Sequence, residues 1–159
     1  MSGIRRRQVL QLGLAAPLVS LVPSVLALQS SPLIYLSPIQ TSGKLSRCQA
    51  EVWYVSEGED MYVVTDASAW RAKAVAQGLN TAQIWVGDVG LWQRSNGRYL
   101  QLPSLVASAE TVSAADVHAR MLTLFGRKYA DEWGSWGPRF KQGLEDGSRV
   151  MLKYSPQTL

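Results

Sequence analysis

The residues best suited to chemistry lie in one short stretch, Val63-Val64-Thr65-Asp66-Ala67-Ser68-Ala69-Trp70-Arg71-Ala72-Lys73-Ala74-Val75. An apolar run ends at Thr65, and alanine-rich helical sequence starts within a few residues. A helix N-terminus offers unpaired backbone N–H groups and a partial positive charge. Ser68 adds a hydroxyl there, and Arg71 and Lys73 add two cations, so the stretch has the makings of a phosphate grip. The same residues also describe a capped surface helix with two solvated cations. Residue types alone leave both readings open.

Other candidates for chemistry are weaker. The single cysteine, Cys48, makes neither an internal disulfide nor a zinc cluster, and it reads as a half-buried structural thiol ahead of an apolar run. A nucleophilic role would need a base, and the one histidine, His118, stands far along the chain in helix-like sequence. The carboxylate pairs Glu57/Glu59 and Glu145/Asp146 sit in turn-like sequence and read as solvated charge. The sequence carries no GxGxxG, phosphate-loop lysine, HExxH or nucleophile-elbow motif, and no metal site is expected.

Short strands must position these residues. Leu33–Leu36 reads as a first strand, Gln49–Val55 as a second and Met61–Thr65 as a third, the last two forming a hairpin around Gly58. Asp66 or Ser68 is expected to cap the helix that follows, with Gly78 ending it. Ala82–Gly87 is another strand. Asp88–Ala109 reads as two more, joined by a turn at Asn96-Gly97. Ser113–Tyr129 is an amphipathic helix, with Val117, Met121, Leu122 and Phe125 on one face. Ala130–Phe140 reads as a short helix or irregular cover, and Ser148–Pro156 as a closing strand. Six or seven strands arranged in hairpins, with two substantial helices, predict a mostly β, α+β architecture: a small antiparallel barrel.

The chain has 159 residues and a formal net charge of +4. Three of its 16 basic residues and none of its 12 acidic ones lie in residues 1–27, which leaves 13 against 12 in the body. A near-neutral body lacks the phosphate-neutralising charge of a nucleic-acid binder. The excess belongs to the leader-like segment Ile4–Ala27, where Arg5, Arg6 and Arg7 precede an apolar run broken by Gly13, Pro17 and Pro23. Such breaks disfavour a spanning helix. Val25-Leu26-Ala27 forms a small-x-small site for cleavage after Ala27. Arg6-Arg7-Gln8-Val9-Leu10-Gln11 fits the twin-arginine pattern, an address read by a bacterial export receptor. A general secretory signal and a retained anchor are the competing readings. The twin-arginine reading predicts a periplasmic or secreted protein with no stable membrane anchor after cleavage, carried folded by that export machinery and often with its cofactor bound. Residues 28–159 then form one domain.

Residues 61–87 resemble the flavin-binding split-barrel proteins, the superfamily of pyridoxamine 5′-phosphate oxidase. In that family a strand ends in Thr, a turn carries Ser, and two basic residues and an apolar one follow on the helix. Thr65, Arg71, Lys73 and Val75 fall on those positions. The family's Ser aligns with Ala69, one residue after Ser68, and Trp70 stands where an Arg is common. The family's first-strand basic residues have only Arg47 as a loose counterpart, which argues against vitamin B6 oxidase activity. The resemblance implies a homodimeric split barrel with FMN, or a deazaflavin, in a groove between subunits. It implies cofactor contacts from Thr65, Asp66, Ser68, Trp70, Arg71 and Lys73, with Trp70 stacking on the flavin ring or adjoining the phosphate. The implied function is flavin-dependent oxidoreduction of a small molecule. The alternative is a non-catalytic periplasmic module that holds flavin, deazaflavin or haem, with His118 as the one histidine available to haem.

Overall fold

A computed structural model describes residues 22–158. The twin-arginine motif and most of the apolar run lie outside the described residues. Among the described residues seven strands are present: β1 (Ile34–Pro38), β2 (Ala50–Val52), β3 (Val55–Glu57), β4 (Asp60–Asp66), β5 (Thr81–Val86), β6 (Ser104–Val112) and β7 (Arg149–Pro156). The helices are α1 (Val25–Ser30), α2 (Trp70–Ala76), α3 (Ala115–Lys128) and α4 (Ala130–Asp146). Every strand pairing is antiparallel, and the order across the sheet is β2-β1-β5-β6-β7-β4-β3. The sheet curls into the half-barrel of a split-barrel α+β fold. Among the described residues, no helix is long and apolar enough to cross a membrane.

Side-chain alternation explains why the sheet is buried on both faces. Along β4 and β7, Met61, Val63, Leu152 and Tyr154 point into the barrel, where they meet Ile34, Leu36, Ile84 and Tyr54. Their neighbours Tyr62, Val64 and Met151 point outward onto Met121, Phe125, Tyr129 and Phe140 of the α3–α4 layer. Strands covered on both sides have near-continuous apolar sequence, as "MYVVT" does.

Three elements depart from expectation. The Gln49–Val55 run is not one strand. It breaks at Trp53-Tyr54, so that β2 pairs with β1 at one sheet edge and β3 pairs with β4 at the other. The break is held by tertiary contacts. Trp53 stacks on Tyr129 at 4.3 Å between ring centroids, and the Tyr54 N–H donates to the Tyr129 Oη at 3.0 Å.

The Asp88–Ala109 stretch yields only one strand, β6. The Asn96-Gly97 turn does form, with φ of 50° and 77°, but it joins two 3₁₀ turns, Trp92–Arg94 and Arg98–Gln101. Packing overrides the hairpin signal here. Trp92 and Tyr99 fold down over Tyr35 and Trp85 on the outer face of β1 and β5. The Tyr35 hydroxyl fixes the preceding loop by donating to the Gly90 carbonyl at 2.6 Å and accepting from the Val89 N–H at 2.9 Å.

The expected short cover is the 17-residue α4, which carries Pro138 inside it. An interior proline costs a helix about 3 kcal/mol, and the aromatic packing on both sides of it offsets that. The indole of Trp133 lies between Gly126 and Gly137, where an added Cβ would come within 2.8 Å of it. Phe125 contacts the rings of Tyr129, Trp133 and Phe140.

Candidate functional site

The chemically promising stretch is positioned by β4 and α2. Thr65 is buried near the end of β4, opposite Val150 of β7. Asp66, the last residue of β4, is exposed, and its carboxylate meets Arg149 Nη2 at 3.3 Å. The backbone then bends through the exposed Ser68 into α2. Neither Asp66 nor Ser68 caps that helix with its side chain. The capping position is Ala69, in extended conformation with no side-chain hydrogen bond. The backbone makes the turn instead, through Ala69 N–H donating to the Asp66 carbonyl at 3.0 Å.

α2 then divides the predicted residues. Ala72, Ala74 and Val75 turn toward the barrel, and Lys73 projects into solvent. Arg71 runs inward along its stem. Its Nε is buried and has no hydrogen-bond partner among the described residues. The Arg71 charge reaches the buried Tyr154 of β7, whose phenol is raised by burial and drawn partly back down by the guanidinium. A buried guanidinium N–H without an acceptor is costly, because a guanidinium keeps its charge and loses its water. Such an atom marks either strain or a place for an anion.

Trp70, at the start of α2, faces a different space. With Gln40, Ser46, Arg47, Cys48, Gln49, Trp92 and Gln93 it lines an open groove of about 550 Å³. That volume lies within the range of small-molecule and cofactor sites. Two tryptophans offer flat apolar walls, and Arg47 offers a charge. The lining residues from Ser46 to Gln49 belong to a loop pinned to β1. Ser37 Oγ donates to the Ser46 carbonyl at 3.1 Å, and Gln49 Nε2 donates to the same carbonyl at 2.7 Å. Trp92 is tied to β2, its N–H donating to Glu51 Oε2 at 3.2 Å.

Of the predicted residues, Trp70 lines the groove, and Arg71 follows it on α2 with its Nε buried. Asp66 is held by Arg149, while Ser68 and Lys73 are exposed. The sequence reading passed over Gln40, Ser46, Gln49, Trp92 and Gln93, and gave Arg47 only a loose role. Their signal was faint, since polar loop residues become a wall only when β1, β5 and the 3₁₀ turns bring them together. Cys48 is exposed on the groove. His118 lies on α3 with its Nε2 against the Val112 carbonyl at 2.7 Å, outside the groove.

No family model matches the chain, and no curated protein matches it. Solved structures do. HutZ, the heme storage protein of Vibrio cholerae, is 12% identical with a TM-score of 0.58, covering 84% of this chain and 87% of its own. A candidate pyridoxamine 5′-phosphate oxidase from Listeria innocua is 12% identical with a TM-score of 0.54, covering 84% and 90%. General stress protein 26 of Bacillus anthracis is 15% identical with a TM-score of 0.53, covering 82% and 84%. These likenesses establish the split-barrel fold.

Proposed function

We propose that the chain binds FMN, or a deazaflavin, and acts as a flavin-dependent oxidoreductase on a small molecule. The observation that carries this reading is the buried, unpartnered Nε of Arg71, on the helix whose first residue lines the groove. A phosphate would give that N–H its acceptor, and charge-assisted contacts of this kind are the strong ones. In this reading Arg71 holds the phosphate, with Arg47 and the exposed Lys73 adding positive charge around it. Trp70 and Trp92 would flank the flavin ring. Bound flavin supplies hydride and electron transfer, and the chain's own residues bind, orient and shield it. The likeness to a candidate pyridoxamine 5′-phosphate oxidase supports the same choice of cofactor.

The reading includes a homodimer, and export of the folded, cofactor-loaded chain to the periplasm or beyond through the twin-arginine signal in residues 1–27. Changing Arg6 and Arg7 to lysine should stop that export, and unaltered export would remove the twin-arginine assignment.

The visible spectrum of the purified protein tests the cofactor. Flavin bands, or uptake of added FMN, are expected. In the Arg71→Ala, Lys73→Ala double variant FMN affinity should fall sharply, and unchanged affinity would show the phosphate to sit elsewhere. A protein that neither carries flavin nor takes up FMN would defeat the proposal. The second reading is a non-catalytic ligand module, favoured by the likeness to a heme storage protein. It predicts a Soret band. His118 would serve as a haem ligand only after giving up the Val112 carbonyl.

A further inference from the structure

The bond between Ala27 and Leu28 is where the leader would be cut, and the fold closes over it. Ser24 Oγ accepts from the Ala27 N–H at 3.2 Å and so caps α1, which runs across the junction from Val25 to Ser30. Each backbone group flanking the bond is occupied. The Leu28 N–H donates to the Ser24 carbonyl at 3.0 Å, and the Ala27 carbonyl accepts from the Ser31 N–H at 3.0 Å. The Leu28 carbonyl accepts from the Tyr54 hydroxyl at 2.6 Å. The Leu28 side chain is only 3% exposed within the barrel core, and Ala27 packs against the same cluster.

The strap that follows is clasped as well. The Tyr129 hydroxyl contacts the Pro32 carbonyl at 3.0 Å and the Tyr54 carbonyl at 2.8 Å. The Lys128 ammonium lies over the Tyr54 ring, 3.6 Å from its centroid. A six-residue helix has little stability alone, so this one depends on its docking. The side chains of Val22 and Leu26, by contrast, are 72% and 73% exposed, so the apolar character of the leader faces outward at this point.

Peptidases bind their substrate as an extended chain with its backbone groups free to pair. A helical bond with its N–H and carbonyls already engaged reaches that state only by local opening. We propose that docking of α1 onto Tyr54 guards the Ala27–Leu28 junction, so that a chain that folds before cleavage keeps its leader. Cleavage adds water across the bond, leaving a carboxylate on Ala27 and an amine on Leu28, and the guard acts by denying access to that carbonyl. The inference rests on the leader reading of residues 1–27. A chain exported already folded would then remain attached through the leader, in place of the anchor-free product that cleavage would give.

The test presents bacterial leader peptidase with the purified full-length chain in detergent and, separately, with a synthetic peptide of residues 18–37. Mass spectrometry follows the product that begins at Leu28. The peptide should be cut, and the folded chain should be cut at least about 100-fold more slowly. Tyr54→Phe keeps the ring and removes the hydroxyl, which should speed cutting of the folded chain about tenfold. Ser24→Ala, compared with a peptide carrying the same change, should act in the same direction should Tyr54→Phe prove unfolded by circular dichroism. A folded chain cut as fast as the peptide overturns the guard, and so does a folded Tyr54→Phe chain no faster than wild type. An uncut peptide defeats the leader reading itself and the guard with it.

Discussion

Arg71 and Lys128 invite comparison, because each hides a side-chain nitrogen that has no hydrogen-bond partner among the described residues. Lys128 ends α3 beneath the aromatic layer. Its ammonium rests on the face of Tyr54 and lies 5.6 Å from the Tyr129 centroid. Burial lowers it to about 8, so it has two ways out: a π face that partly replaces water, and loss of its proton. Arg71 has neither: among the described residues no aromatic face lies under its guanidinium, and a guanidinium does not shed its charge. Two similar deficits therefore carry different meanings. The lysine is accommodated by its surroundings, whereas the arginine keeps a deficit that the proposed phosphate would meet.

The largest expected effect concerns the layer that accommodates Lys128. Phe125 is fully buried against three other rings. Phe125→Ala should cost about 3–5 kcal/mol of stability by denaturant titration. The fraction still folded should keep its flavin affinity. If affinity fell in proportion, the two regions would not be separable.

Next comes Arg71→Leu, which should weaken FMN binding about 10- to 100-fold, as expected for one charge-assisted hydrogen bond, while leaving the apo protein at least as stable. A gain in stability with affinity unchanged would make Arg71 a second Lys128, and the comparison would collapse.

A smaller effect is expected at Lys128. Lys128→Met should stabilise the protein at pH 7 by about 1 kcal/mol, because an apolar chain replaces a buried charge. The pH dependence has a definite sign. Between about 8 and the ordinary lysine value of 10.5, the unfolded chain binds the proton that the folded chain has released, so wild-type stability rises with pH. Burial raises Tyr54 to about 12, so above about 10 the unfolded chain loses phenol protons first and stability falls again. The rise between about pH 8 and 10 should vanish in the methionine variant. The smallest effect is at the exposed Arg120–Glu57 pair, 2.8 Å apart, with the arginine holding the Glu57 carboxyl below its usual range. Glu57→Gln should change the unfolding midpoint by no more than experimental scatter, and less still at high salt.

What the sequence made legible follows the same division. The twice-covered strands β4, β5 and β7 were readable because their own residues carry the apolar signal, and α3 because its stripe repeats at helical spacing. Arg71 was picked out by its place in the first turns of a helix that follows a strand end, and Trp70 only through the family resemblance. The break at Trp53-Tyr54 was not readable, because Tyr129, 75 residues away, is what holds it. Nor were the 3₁₀ turns, whose tryptophan and tyrosine suit a strand equally well until Tyr35 and Trp85 offer a surface. The groove was the least legible feature, since its walls come from three separate segments and no one of them carries a motif.

The sheet order has a consequence for how the protein comes into being. β7 is the last of the seven strands to be synthesised, yet it lies between β4 and β6 and pairs with both. Until it emerges from the ribosome, the β3–β4 hairpin and the β2-β1-β5-β6 sheet share no strand pairing, and the barrel wall has a gap. A growing chain therefore cannot finish its fold domain-first from the N-terminus in the usual way. Its two partial sheets must wait, edges open, for the final strand to join them.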